Sequence, residues 1–400
     1  MLENYKNIPS SAADLFGAEM ITSPHSEWEK IRSKGPLVYM EPNKILFISS
    51  HKVSQKCISD SKTFISGKGI GIRDIKDYVP PRIPSLLLET DPPEHDRYRK
   101  IMMQVLSPGN ISGLRTQFEA AAEKLADNAL RMGTFDAVSD FVRPFTLNVI
   151  ADAVGVPEEG REHLLNYGTM VIESSGPDNY RFQRALARAK EAGSIEWVMQ
   201  MMKRGSLRDN GFGAKIFDFV DAGELTEPEA ELLVRIFLNA SVDSTICSIT
   251  NGLKLIAEHK TAYEAMRADN SLCRNAFEET MRVHGAVKYL FRTASADVDI
   301  EGVNVLAGQR IALGVGIANR DPEKFDNPNT FDISRRVAGH VAFGVGIHAC
   351  SGQMVARLEA DVLYKALVNT VGSLEVCGVP EPLDSNIFTS WSKLPLRANK

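Results

Sequence analysis

Between Pro93 and about Lys260 apolar residues recur at three- and four-residue spacings, the periodicity of helices laid against a core. Outside that region the pattern shortens. Leu37-Val38-Tyr39-Met40 and Lys44-Ile45-Leu46-Phe47-Ile48, separated by Glu41-Pro42-Asn43, predict a small β-hairpin. Residues 64–84 carry Gly67, Gly69, Gly71, Pro80, Pro81 and Pro84, which predicts a long irregular loop of the kind that often binds ligands. The clearest helix starts at Thr226, where Thr226 and Glu229 form a capping-box pattern. It runs through the apolar stretch Leu232–Leu238 to about Glu258, about 31 residues and roughly 46 Å as one continuous rod. Being apolar nearly all round its first half, it should be buried. A further helix is predicted over about Ser271–His284, followed by strands at Asp297–Ile300 and Gln309–Leu313. An irregular segment from Asn319 then leads to a last helical run, Gln353–Glu359. The expected fold class is mainly α with small β-sheets. With no repeat, low-complexity tract or Gly/Ser linker, residues 1–400 are expected to form a single domain.

Composition changes this picture little. The chain has 400 residues, 44% hydrophobic and 24% charged, with a net charge of −5, which gives no reason to expect nucleic acid as a partner. No unbroken apolar run reaches membrane-spanning length, and Met1–Lys6 lacks a signal-peptide core, so no membrane association is expected. Five cysteines (57, 247, 273, 350 and 377) show no metal-finger spacing, and an odd number leaves no complete disulfide framework. A reducing compartment, the cytoplasm, is expected.

The segment Phe343-Gly344-Val345-Gly346-Ile347-His348-Ala349-Cys350-Ser351-Gly352 carries the chemistry. Its glycines let the backbone turn tightly and approach a flat partner, and the helix that follows aims N–H groups at Cys350 in the direction that favours a thiolate. A shielded thiolate beneath a planar partner is what an iron porphyrin needs as a protein ligand. Elsewhere, Glu279 and Arg282 stand at i, i+3 on one helix face, where they can pair. His95 and Arg99 stand at i, i+4 after Pro92-Pro93, a spacing suited to gripping a carboxylate. Ala240-Ser241-Val242-Asp243-Ser244-Thr245 places an acid and hydroxyls within the long buried helix.

The Phe-Gly-x-Gly-x-His-x-Cys-x-Gly spacing resembles the haem-binding loop of cytochromes P450, and the likeness covers essentially the whole chain. It implies the P450 fold, haem b as cofactor and Cys350 as the iron ligand, with His95, Arg99, Arg292 and His348 contacting the haem propionates. It further implies a structural ion network of Glu279, Arg282 and Arg335. Asp243 and Ser244 fall on the family's oxygen-activation segment as the catalytic proton-handling pair. This chain departs there by having Ser241 for a glycine and Ser244 for a threonine, which keeps the hydroxyl but loses the methyl that restricts its rotamer.

Pro84–Pro93, Arg274–Glu279 and Gly339–Gly344 are most similar to bacterial P450s that oxidise or O-demethylate para-substituted benzoic acids. By that likeness Arg82, Ser85 and Arg235 would bind a substrate carboxylate. Ile236 replaces a serine, while Ile172 and Ser175 replace aromatic walls, so the pocket should differ in shape. The implied activity is a monooxygenase taking electrons from a ferredoxin and an NAD(P)H-dependent ferredoxin reductase, docked near Cys350 among Arg357, Arg97 and Lys100. Its alternatives are a hydroxylase of a neutral terpenoid or fatty acid, and a haem sensor without turnover. More distant is a nucleotide-dependent dehydrogenase, since Gly344–Ala349 also fits Gly-x-Gly-x-x-Ala, a fingerprint that belongs in a βαβ unit.

Overall fold

The computed structural model describes residue 5 and residues 8–78 and 82–400; residues 1–4, 6–7 and 79–81, which include Pro80 and Pro81 of the Gly/Pro loop, lie outside the described residues. The predicted hairpin forms: β2 (Leu37–Met40) pairs antiparallel with β3 (Ile45–Ile48). It belongs to a mixed sheet of six strands in the order β1-β2-β3-β6-β5-β4, where β1 is Ser10–Ser11, β4 Phe64–Ile65, β5 Tyr289–Ala294 and β6 Arg310–Gly314. The sequence pattern located β6 but not β5, because β5 (Tyr-Leu-Phe-Arg-Thr-Ala) is buried along nearly its whole length and so shows no alternation. The strand predicted near 297–300 forms over Val298–Ile300 and pairs with Val303–Val305. The described residues of 64–84 are irregular apart from β4 and a 3₁₀ turn at Ile75–Asp77, which agrees with the loop expected there.

Six helices position the site: α1 (Glu94–Val105), α2 (Glu162–Glu173), α3 (Glu227–Ala240), α4 (Asp243–Glu258), α5 (Leu272–His284) and α6 (Gln353–Thr370). At α3 the capping box is present in full, with the Thr226 N–H donating to Glu229 Oε2 at 2.8 Å.

The single 31-residue rod is corrected, because the structure breaks it at Ser241–Val242 into helices of 14 and 16 residues. The reason lies in the side chains. Ser241, Ser244, Thr245 and Ser248 each donate a hydroxyl hydrogen bond to the carbonyl four residues back: Phe237, Ala240, Ser241 and Ser244, at 2.5–3.1 Å. Such back-bonding competes with the main-chain ladder and bends helices. Packing fixes the break in place. At Gly168 of α2 an added Cβ would stand 3.2 Å from the Asn239 carbonyl and 3.3 Å from Asp243 Oδ2, so α2 lies almost directly on the broken turn. By length and mean hydropathy (1.4) the Glu227–Glu258 stretch reaches membrane-spanning range, which the search for an unbroken apolar run did not reveal. Of its most apolar window, 67% is buried within the protein, so it serves as the central core element.

The ion network expected from sequence is present. Glu279, with no exposed side-chain surface, receives Arg282 Nε and Nη2 at 2.7 Å each, Arg335 Nε at 3.1 Å and the Asp332 N–H at 3.1 Å. Arg282 also donates to the carbonyls of Asn319, Pro328 and Thr330 at 2.7–3.1 Å. One helical ion pair thereby ties down the irregular segment that leads to Cys350. Removing one partner of a buried pair strands the other charge, at a cost on the order of 3–5 kcal/mol. Glu279→Gln should therefore lower the urea midpoint markedly, and the purified protein should carry less cofactor than the parent at equal expression.

Candidate active site

Cys350 sits where a loop closes on itself. Gly344 and Gly346 adopt φ values of 68° and 70°, which side-chain-bearing residues rarely adopt, and these turns bring the Cys350 N–H to the Phe343 carbonyl at 2.7 Å. The Gly-x-Gly-x-x-Ala match leads into a 3₁₀ turn at Gly346–His348, with no strand before it, so the βαβ context of a dinucleotide site is missing and the dehydrogenase reading is overturned.

Three residues after the cysteine, α6 begins. The backbone N–H groups of Gly352 and Gln353 and the charges of Arg99 and Arg357 lower the Cys350 pKa, as the motif suggested. Burial outweighs them, and the thiol is pushed up overall. The surface Cys350 keeps is open to the internal cavity, while dense protein around it removes the solvation a thiolate needs. The helix start alone does not make the thiolate, and a metal's positive charge would complete it.

The cavity above Cys350 is walled by Leu87, Phe237, Val287, Phe388 and other apolar side chains, with Ser244 and Thr245 exposed to it at the helix break. Ile172, Ser175 and Ile236, the positions where aromatic or polar residues were expected, all line it, which leaves a largely aliphatic wall.

The four predicted propionate contacts converge at its edge. The His95 and His348 rings lie 4.4 Å apart, and Arg99 donates to the Ala349 carbonyl at 2.6 Å. Arg292, almost fully buried, donates to the carbonyl of its neighbour Phe291. Burial lowers the His348 pKa to about 3 and that of Arg292 to about 10, and the two groups also repel each other's charge. Among the described residues, Nε2 of His95 and one ring nitrogen of His348 are buried without a hydrogen-bond partner, the other His348 nitrogen approaching the Leu87 backbone. Buried imidazole nitrogens without partners, beside two arginines, are costly unless a polar group joins them. A planar cofactor with a metal for Cys350 and two carboxylates for this cluster satisfies both needs, so the residues present fit haem.

Asp243 stands at the first turn of α4, directly after the break, and accepts a 2.8 Å hydrogen bond from the Thr169 hydroxyl of α2. Burial raises its carboxyl to about 6, against the lowering effect of that bond. Unlike Ser244, it is not among the cavity-lining residues.

Arg82, Ser85 and Arg235 are also brought together, but behind the cavity wall. Arg82 pairs with Glu89, and Glu89 also accepts the Ser85 N–H at 2.9 Å. Arg235 reaches from α3 to the carbonyls of Ile83 and Pro84 at 3.1 and 2.7 Å. None of the three lines the cavity. Of the expected docking cations, Arg97 is paired with Glu229 and Arg357 with Glu278, whereas Lys100 is exposed. Glu89 and Thr169 had no sequence signal of their own, since each matters only through a partner brought to it by folding.

A cytochrome P450 family model matches residues 212–371. The chain is 38% identical to cytochrome p450 CYP199A2 of Rhodopseudomonas palustris, over 98% of this chain and 94% of that one. It is 31% identical to cytochrome P450 107B1 of Saccharopolyspora erythraea, over 78% and 76%. Among solved structures, cytochrome P450 CYP109Q5 from Chondromyces apiculatus superposes with a TM-score of 0.82 at 26% identity, covering 97% of this chain and 98% of its own. Cys350→His should abolish the long-wavelength band of the reduced carbon monoxide complex that thiolate ligation produces, and an unchanged band in that variant would exclude Cys350 as the ligand. Extended likeness to these relatives, a cysteine loop opening into α6 and a buried cluster of two imidazoles and two guanidiniums that fits two carboxylates together mean that the chain belongs to the cytochrome P450 family, as a haem b monooxygenase.

Proposed function

We propose that the protein oxidises a small aromatic carboxylic acid, by hydroxylation or oxidative O-demethylation. Bound haem b supplies reductive activation of O₂ and insertion of one oxygen atom into the substrate. The observation that carries the acid reading is the gathering of Arg82, Ser85 and Arg235 from two distant parts of the chain onto one turn, residues 82–85, beside an apolar cavity. An arginine fork fixes the direction of a carboxylate as well as its charge, and a flat ring anchored at one end presents its far substituent reproducibly. The likeness of Pro84–Pro93 to P450s that oxidise para-substituted benzoates supports the same reading.

A neutral terpenoid or fatty acid is the second reading. It is favoured by the aliphatic wall and by the present engagement of Arg82 with Glu89. Bacterial P450s draw electrons from redox partners, and a ferredoxin with an NAD(P)H-dependent reductase is the proposed source here. Lys100, exposed on α1, has no carboxylate partner among the described residues, which suits an acidic partner.

The proposed role of Asp243 is to hold a proton next to the break, while the Ser244 hydroxyl, already donating to the Ala240 carbonyl at 2.9 Å, offers its lone pairs to the cavity. A carboxyl raised by folding binds its proton more tightly in the native state than in the unfolded chain. Its contribution to stability is therefore full below the ordinary aspartate range and lost as pH rises through about 6. The fraction able to donate falls over the same range. Turnover should decline through about pH 6 on this account, and Asp243→Asn should remove that limb. The same substitution should slow turnover on the order of 10²-fold, the usual worth of a positioned acid, with substrate binding nearly unchanged.

The substrate class is tested by titrating aromatic acids and their methyl esters against the haem spectrum. Acids should bind better than esters, and Arg82→Ala should weaken acid binding by roughly 30-fold, the low end of losing one partner of a desolvated charge pair. Equal binding of acid and ester by the parent would favour the neutral-substrate reading.

A further inference from the structure

Glu89 is fully buried, yet it lies immediately behind the cavity: Leu87 and Leu88 line the cavity, and so does Ile70, whose N–H donates to Glu89 Oε1 at 3.2 Å. Its carboxylate takes three donors: that N–H, the Ser85 N–H at 2.9 Å and the Arg82 guanidinium. Two of the donors, Arg82 and the Ser85 backbone, belong to residues assigned above to a substrate carboxylate. Across the turn Arg235, buried and with its Nε unpartnered, grips the carbonyls of Ile83 and Pro84. The group holds two guanidinium charges and one carboxylate, so one positive charge is left over for an incoming anion.

We propose that Glu89 is an internal competitor for the substrate-anchoring arginine, and that it sets how strongly the enzyme selects carboxylic acids. The idea rests on the aromatic-acid reading. An acid entering the cavity must draw Arg82 away from Glu89 or share its fork, which has five donors. Glu89 is not orphaned by that exchange, because the N–H groups of Ile70 and Ser85 still satisfy it. The competition lowers the affinity of every anion. The penalty is the same for all anions and so sets the preference for acid over neutral analogue, while an acid whose ring also fills the apolar cavity retains enough affinity to bind. Arg82 retains 22% of its side-chain surface and stacks 5.0 Å over the Tyr78 ring, so it has room to move without losing its packing.

The test uses the haem-loaded protein and spectral titrations with 4-methoxybenzoate and its methyl ester. Glu89→Gln should tighten binding of the acid by about tenfold, the equivalent of 1.4 kcal/mol, with the ester unchanged. The gain should vanish in the Arg82→Ala/Glu89→Gln double variant. Acid and ester weakened alike in Glu89→Gln would mean that Glu89 only braces the loop, and the proposal falls. Acid affinity unchanged in Glu89→Gln but lost in Arg82→Ala overturns the competitor while leaving the carboxylate anchor standing. Acid affinity indifferent to Arg82→Ala in both backgrounds removes the anchor itself, and the role of Glu89 with it. If Glu89→Gln fails to take up haem, Glu89→Asp, which withdraws the charge by one methylene, should shift acid binding in the same direction.

Discussion

A cysteine that must meet a metal at a fixed height cannot be presented by a wandering loop, and the segment carrying Cys350 has almost no regular structure from Asn319 onward. Its rigidity comes from the buried carboxylate of Glu279. That group binds Arg282 on its own helix, Arg335 across the loop and the Asp332 N–H, and Arg282 then collects three loop carbonyls. In water such an ion pair would contribute little. Out of water its members are held in place by the penalty for leaving either one unpaired. A second anchor adds to it: Glu278, one residue earlier, binds Arg357 of α6 and accepts a 3.1 Å hydrogen bond from His340. Adjacent residues of α5 thus hold the two sides of the cysteine loop.

The helix break solves a different problem. A continuous helix would turn its N–H and C=O groups inward and offer the cavity only side chains. At Ser241–Val242 four back-bonded hydroxyls loosen the ladder, Ser244 and Thr245 come to face the cavity, and Asp243 turns toward Thr169 on α2. Ser241 and Ser244, at the positions where the family likeness places a glycine and a threonine, both bond backward to helix carbonyls at the break. What changes is the freedom of the Ser244 rotamer, since no methyl group restricts it.

The cavity wall is largely apolar, and the charged side chains that reach it, Arg99, Arg292 and Glu359, are few. The His95–Arg99–Arg292–His348 cluster lies at one edge, with buried imidazole nitrogens that fit a polar partner. The Arg82–Glu89–Arg235 group lies behind the wall formed by Ile70, Leu87 and Leu88. Apolar side chains facing inward keep the dielectric low there, so each charge placed behind them acts with more force on whatever enters.

The sequence by itself determined the class of fold and the cysteine loop, and its family likeness pointed to the residues of the Glu279–Arg282–Arg335 network and of the His95–Arg99–Arg292–His348 cluster. The glycine-flanked His-x-Cys and a Glu three residues before an Arg are short, fixed spacings that the chemistry requires, whereas Arg292 and Arg335 were placed only by the family likeness. The sequence also determined the capping box at Thr226, a purely local device. Only the tertiary structure decided that the long helix breaks, since apolar periodicity continues undisturbed across Ser241 and the competing hydroxyls act through geometry. Only the tertiary structure gave Asp243 its partner Thr169, 74 residues away in the chain, and its raised pKa. The same holds for Arg82. Sequence could bring it to the right loop, but its pairing with Glu89, seven residues on, depends on how an irregular backbone folds, and no periodicity encodes that.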